Sequence, residues 1–138
     1  MAEELTSEDL ALIEAAKRLI TERYRENRHH IGAALRTRSG KIHTGIHLDT
    51  YVGRASVCAE AVAVGTAMAA GDGDVACIVS VRHPRPREAN QEIQVVSPCG
   101  ICREMLADFA PNSVVIVPAN AGLVHWQIRQ LRGATAPG

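Results

Sequence analysis

The chain is short of aromatic residues: one Trp, two Tyr and one Phe make up 3% of its 138 residues. Base-stacking platforms of the kind that hold single-stranded nucleic acid are hard to build from so few rings. Charge of one sign is lacking as well, because 15 Lys and Arg stand against 15 Asp and Glu. Binding to a nucleic acid or an anionic membrane requires several phosphates to be neutralised together, so neither is an expected partner. No apolar run approaches the ~20 residues of a membrane helix. The start, Met-Ala-Glu-Glu, is acidic where a secretory signal is basic and then apolar, so the expected compartment is the cytoplasm. Repeats and low-complexity blocks are also missing. What is present, 46% hydrophobic and 22% charged residues, suits one domain over 1–138 whose last residues, 133–138, are a frayed tail.

Periodicity orders the elements. Thr6 with Asp9 three positions on reads as a helix start, followed by Leu10, Ile13, Ala16, Leu19 and Ile20 at helical spacing. Two strand-like runs flank Ser39-Gly40 and predict a β-hairpin. The small-residue run Cys58–Gly71 predicts a helix that is apolar almost all round and buried between layers, ended by Gly71. Val75–Val81 reads as a buried strand, residues 83–94 as a loop of unassigned role, and the stretch from about Cys99 to Phe109 as a helix stopped by Pro111. Ser113–Val117 is a further strand. A weak apolar pattern runs on through Val124, Trp126, Ile128 and Leu131. Two strands, helix, strand, helix, strand is the order of an α/β fold, a three-layer α-β-α sandwich with a mixed sheet. Its second and third helices are expected on one face, because such crossovers are right-handed.

Four cysteines remain, Cys58, Cys77, Cys99 and Cys102, and in a reducing compartment closely spaced cysteines read as metal ligands or redox thiols before disulfides. Cys58 opens one predicted helix, and Cys99 and Cys102 open the next. Helix N-termini stabilise thiolates through unpaired amides and the dipole. Three thiolates around one point suit Zn²⁺ and leave its fourth position open to water, which zinc makes acidic enough to attack near neutral pH. Glu60 lies two residues past Cys58, turned by roughly 200° around the helix, so it can face the metal without ligating it. Hydrolytic deamination of an amino-substituted ring needs protons moved from water to a ring nitrogen and to the departing amine, and one carboxylate can relay them. Cys58-Ala59-Glu60 followed by Pro98-Cys99-Gly100-Ile101-Cys102 is the arrangement of zinc deaminases, with a Glu that is not a ligand.

At these residues the chain resembles the cytidine deaminase family, from about His30 to Val117. HIGAAL resembles that family's first strand, and Gly45–Glu60 its ribose-binding segment leading into the zinc helix. AVGTAMAAGDGDVACIVSV followed by SPCGICREML is similar to the blasticidin S deaminase branch. The resemblance implies ligands at Cys58, Cys99 and Cys102, a proton shuttle at Glu60, and backbone at Ala59 and Ser97 that grips the pyrimidine. It further implies a homotetramer acting on a small aminopyrimidine nucleoside or analogue, with ammonia released, in pyrimidine salvage. Where the family has Asn-x-Glu-Asn against the sugar this chain has His47-Leu48-Asp49-Thr50, which makes His47 and Asp49 the candidate substrate contacts. The family's aromatic before the first strand falls at His29, its Tyr at Gly53, and the Arg often found after Cys-Ala-Glu is Ala61. Three thiolates on Zn²⁺ sum to −1, so a cation is expected to offset them. Arg103 is the candidate and Arg54 the reserve.

Plainer readings stand beside these. Cys99 and Cys102 alone suit a redox dithiol, and a zinc closed by His47 or His83 would be structural. Glu60 alone is an ordinary helix-start carboxylate. Cys77 reads as a small buried hydrophobe, His29, His30 and His43 as surface or hairpin residues, and Trp126 as a core or interface anchor or a stacking platform.

Overall fold

A computed structural model describes residues 5–120 and 122–131. The expected frayed tail, 133–138, lies outside the described residues. Helix α1 (Ser7–Arg23) begins at the expected cap: the Thr6 side chain accepts from the Asp9 amide, and the Asp9 carboxylate accepts from the Thr6 amide. The hairpin follows as β1 (Ile31–Thr37) and β2 (Ile42–Ile46), turning at Gly40 with φ 92°, a left-handed backbone that glycine adopts without a Cβ penalty. Helix α2 (Ala59–Ala69), β3 (Val75–Arg82), a short β4 (Gln94–Val96), α3 (Gly100–Phe109), β5 (Val114–Ala119), β6 (Gly122–Gln127) and α4 (Ile128–Leu131) follow among the described residues.

The strands form one mixed sheet in the order β2-β1-β3-β5-β6. Among the described strands only β3 and β5 pair in parallel, and α3 is the crossover between them. Strand β2 is antiparallel to β1, which is antiparallel to β3, so β2 and β3 run the same way and α2 crosses over β1. Two right-handed crossovers moving in one direction place both helices on the same face. There Ala59, Ala63, Val64 and Ala67 of α2 meet Leu106 of α3 over Ala33, Leu35, Ile78 and Val117. The opposite face packs Leu12, Ile13, Ala16 and Ile20 of α1 on Ala34, Val79, Val81 and Ile116. This is the expected α-β-α sandwich.

Two expectations are corrected. Helix α2 is not buried all round, since Gly65, Thr66, Met68 and Ala69 point outward in the single chain; a helix on one sheet face buries only the stripe that touches it. Of the weak pattern after residue 121, Val124 and Trp126 lie in a sixth strand and Ile128 and Leu131 in α4. Leu123 packs toward the α1 face while Val124 and Trp126 pack toward the other, so Trp126 anchors the core.

Candidate active site

Each of the two helices that carry sulfur is held by the sheet at its N-terminal end. For α2, Leu48 and Val57 exchange backbone hydrogen bonds of 2.9 and 3.0 Å, fixing the chain one residue before Cys58. A Cβ at Gly45 would overlap the Ala63 amide nitrogen and the Ala59 carbonyl, so only glycine lets α2 lie this close on β2. For α3, the edge of β3 is shared. Cys77–Val79 pair with β5, whereas Ser80–Arg82 pair with β4. Strand β4 then releases Ser97, Pro98 and Cys99 at the point where the two partners divide.

The two junctions converge. Cys58 and Cys99 are the residues immediately before α2 and α3, their sulfurs lie 4.0 Å apart, and the sulfurs of Cys58, Cys99 and Cys102 are all within 4.8 Å of one another. Three sulfurs each about 2.3 Å from a tetrahedral zinc sit about 3.8 Å from one another, so the cluster is close to the size of a zinc cradle. Its ionisation points the same way. Burial, and with it the Glu60 charge, pushes both the Cys58 and the Cys102 thiols up. Burial opposes ionisation of Cys99 too, but the amides of Cys102 and Ile101 and the neighbouring thiols hold it below its ordinary value. Three crowded thiols cannot all ionise without a cation between them, and a divalent ion supplies that charge. Among the described residues no His, Asp or Glu joins the three sulfurs within this distance, which leaves a fourth metal position for a non-protein ligand. His83, one candidate for closing the site, instead stacks on Tyr24 with ring centroids 3.9 Å apart.

A cavity of about 150 Å³ opens beside the sulfurs. Cys58, Ala59 and Glu60 form one wall, Val96, Ser97 and Cys99 another, and Ile31 and His47 close it. Glu60 is only 6% exposed. Burial raises its pKa above the ordinary carboxylate range, against the opposing pull of its own backbone amide, the Ser80 hydroxyl and His47. His47 brings a buried Nδ1 with no hydrogen-bond partner among the described residues, a polar atom whose burial is costly until something pairs with it.

Of the residues expected from sequence, the structure gathers Cys58, Ala59, Glu60, His47, Ser97 and Cys99 around one cavity, with Cys102 in the sulfur cluster. It places Asp49 elsewhere. That carboxylate lies 3.8 Å from His30 Nε2, accepts from the Ser56 hydroxyl at 3.4 Å, and lines a neighbouring cavity. Arg103 donates from Nε to the Pro98 carbonyl at 3.0 Å, bracing the turn that presents Cys99. Sequence reasoning missed Ser80, Ile31 and Val96. A lone hydroxyl in the apolar run Val75–Val81 was the available signal for Ser80. The two wall residues carried none. The 83–94 loop is drawn back by Glu88, which accepts from Arg82 at 2.6 and 3.1 Å and from the Arg85 amide at 2.8 Å, so the loop leads directly into β4.

Residues 6–118 match the family model of the cytidine and deoxycytidylate deaminase zinc-binding region. The chain is 46% identical over 127 residues to a blasticidin-S deaminase of Bacillus cereus, covering 92% of this chain and 91% of that one. A probable cytidine deaminase of Dictyostelium discoideum is 33% identical over 87 residues, 63% of this chain and 54% of that protein. Among solved structures, the cytidine deaminase of Bacillus anthracis superposes with a TM-score of 0.74 at 25% identity, covering 91% of this chain and 87% of that one. That of Burkholderia pseudomallei gives 0.71 at 28%, covering 92% and 96%.

Proposed function

This chain belongs to the cytidine and deoxycytidylate deaminase family, and from that premise we propose that it is a zinc-dependent aminohydrolase converting a free cytosine nucleoside or analogue to the uracil form. The observation that carries the reading is the convergence of the three cysteine sulfurs within 4.8 Å beside a cavity walled by Glu60. Cys58, Cys99 and Cys102 would hold zinc, which when bound supplies the Lewis acidity that makes water a competent nucleophile near neutral pH.

The chain's own residues do the rest. Ala59 and Ser97 line the cavity, and their backbone holds the pyrimidine ring. Glu60 takes a proton from the attacking water and delivers it to N3 as the C4–O bond forms, then takes the proton of the new C4 hydroxyl and passes it to the amine as the C4–N bond breaks and ammonia leaves. Burial that raises its pKa suits a group that must hold a proton between these transfers. His47 Nδ1, without a partner among the described residues, is placed to pair with a polar group on the substrate.

A blasticidin S substrate is the second reading. The 46% identity to a blasticidin-S deaminase favours it, as does His47-Leu48-Asp49-Thr50 in place of the Asn-x-Glu-Asn of cytidine deaminases. We further propose a homotetramer. An exposed apolar groove lined by Ala61, Val64, Gly65, Met68, Met105 and Phe109 supports assembly through the outer face of α2 and α3. A cytoplasmic role in pyrimidine salvage belongs to the same proposal.

The test is ammonia release by zinc-loaded protein from cytidine, deoxycytidine, cytosine and blasticidin S, with Glu60→Gln as the blank. Turnover of cytidine and deoxycytidine supports the first reading. Turnover of blasticidin S alone selects the second, and full activity in Glu60→Gln overturns the mechanism.

A further inference from the structure

Glu60 moves every proton in the reaction proposed above, and its usefulness depends on where its carboxyl points. Behind it lies the one hydroxyl of strand β3, Ser80, in the run Val-Ala-Cys-Ile-Val-Ser-Val-Arg. Side chains alternate along a strand. Cys77, Val79 and Val81 pack on the α1 side, so Ser80 shares with Ile78 the face that lies under α2 and α3. It is 3% exposed, and its partners across the sheet are Ala33 on β1 and Val96 on β4. Neither of those side chains can pair with a hydroxyl. An alanine would pack there as well, and a buried hydroxyl is costly until something bonds it.

The side chain that does so is Glu60. The Ser80 hydroxyl hydrogen-bonds the Glu60 carboxyl, which also takes a hydrogen bond from its own backbone amide at the start of α2. The two bonds differ in what they anchor. The amide belongs to the same residue and moves with it, whereas Ser80 ties the carboxyl to the sheet. A glutamate side chain has three torsions to fix, and one tether across to another element removes most of that freedom. Ser80 also sits where β3 changes partner, Val79 being paired with β5 and Ser80 with β4. One point of the sheet therefore sets both the cavity wall that carries Cys99 and the carboxyl on the other wall. Ser80 is absent from the residues that line the cavity, so it acts there only through Glu60.

We infer that Ser80 is a positioning residue for the proton relay: its hydroxyl holds the Glu60 carboxyl to β3 and keeps it aimed into the cavity. A hydroxyl suits this task because it both donates and accepts, so it stays bonded while Glu60 gains and gives up a proton in each turnover. The inference rests on the deaminase reading for its effect on rate, and on the fold alone for the contact.

The test is Ser80→Ala in zinc-loaded full-length protein, on whichever of cytidine, deoxycytidine, cytosine and blasticidin S is turned over. The value of kcat is expected to fall about tenfold, as when a group that orients an active-site residue is lost, with KM, zinc content and melting temperature near wild type. Ser80→Thr keeps the hydroxyl on a residue that strands favour, and should hold kcat within about threefold of wild type. In a Glu60→Gln background, adding Ser80→Ala should cost little further, because residues that act as one unit are not additive. Cys77→Ala, on the other face of the same strand, should leave kcat unchanged. An undiminished kcat in Ser80→Ala, or the same loss with and without Glu60, would overturn the inference. Should Ser80→Thr be too bulky to fold, the cycle with Glu60→Gln still decides the matter.

A spectroscopic readout without turnover separates this inference from the deaminase reading. In zinc-loaded protein isotope-labelled at the glutamate carboxyl carbons, the Glu60 resonance is assigned by its absence in Glu60→Gln. It should shift in Ser80→Ala and stay in place in Cys77→Ala. If nothing in the panel is deaminated and the resonance still shifts, the tether stands and the deaminase reading falls. If substrate is turned over and the resonance does not move, the deaminase reading stands and the tether falls.

Discussion

The two faces of the sheet each gather three donor side chains within 4.8 Å: Cys58, Cys99 and Cys102 under α2 and α3, and Asp9, Cys77 and His125 under α1. By proximity alone they are equal candidates for a metal. Three differences separate them. In the second cluster His125 Nε2 lies 2.6 Å from Asp9 Oδ2, too short for two ligands of one ion. Arg36 stands 3.7 Å from Asp9 Oδ1, so the carboxylate already has its positive partner. Burial, with Asp9 adding to it, pushes the Cys77 thiol up to about 12, away from the thiolate a metal needs. The cysteine triad sits at two helix N-termini and opens onto a cavity. One cluster is an ion-pair lock and the other a metal cradle, and what decides is the charge already supplied around the donors.

Substitution should break the comparison cleanly. Cys99→Ala is expected to abolish both zinc binding and deamination, read by metal analysis and ammonia release, whereas Cys77→Ala should retain one zinc per chain. Two zincs per chain in the wild type, falling to one in Cys77→Ala, would show the α1 cluster to be a metal site after all. Next in size, Glu60→Gln should lower kcat by about 10³-fold, within the usual worth of a general acid–base group, while zinc content and melting temperature stay near wild type. Loss of zinc in that variant would make Glu60 a ligand.

On the other face the effect is on stability. Asp9→Asn removes the charge that Arg36 and His125 share and weakens the Thr6 cap. Leaving the half-buried Arg36 guanidinium with only the exposed Glu8, 3.8 Å away, as its acidic partner costs about 2 kcal/mol, to be seen in urea unfolding. Because the cluster lies across the sheet from the sulfurs, zinc stoichiometry should be unchanged.

These contrasts also explain what the sequence made legible. The Thr6–Asp9 cap, the Ser39-Gly40 turn and both cysteine motifs were readable because each is local: a few residues at fixed spacing determine the geometry. Strand β6 was not, since Leu123 packs on one face and Val124 and Trp126 on the other, which erases the alternation that marks a half-buried strand. Strand β4 has three residues, too few for a period. The parting of His47 and Asp49 was hidden for a related reason. Strand β2 ends at Ile46, so residues two apart beyond it no longer share a side. Asp9 could be seen as a cap from its neighbours, but its pairing with His125 depends on contacts across more than a hundred residues of chain.

The smallest expected effect concerns a third carboxylate, Asp72, which shares with Asp9 a histidine partner but lies near the surface. It accepts from His43 Nε2 at 2.9 Å, the Thr37 hydroxyl at 2.7 Å and the Ser39 hydroxyl at 3.1 Å, tying the β1–β2 turn to the end of α2. These bonds, His43 foremost, hold its pKa below the ordinary value of 3.8. A carboxyl whose pKa is lower folded than unfolded binds protons more readily in the unfolded chain. Its contribution is therefore present above the unfolded value and lost as pH falls through the folded one. Below about pH 4 the wild type should lose stability more steeply than Asp72→Asn, and the two acid limbs should converge once Asp72 is protonated. The difference should be well below that of Asp9→Asn, because solvent screens the pair. Parallel acid limbs throughout would mean that the Asp72 cluster ties the turn by geometry, without a charge that folding stabilises.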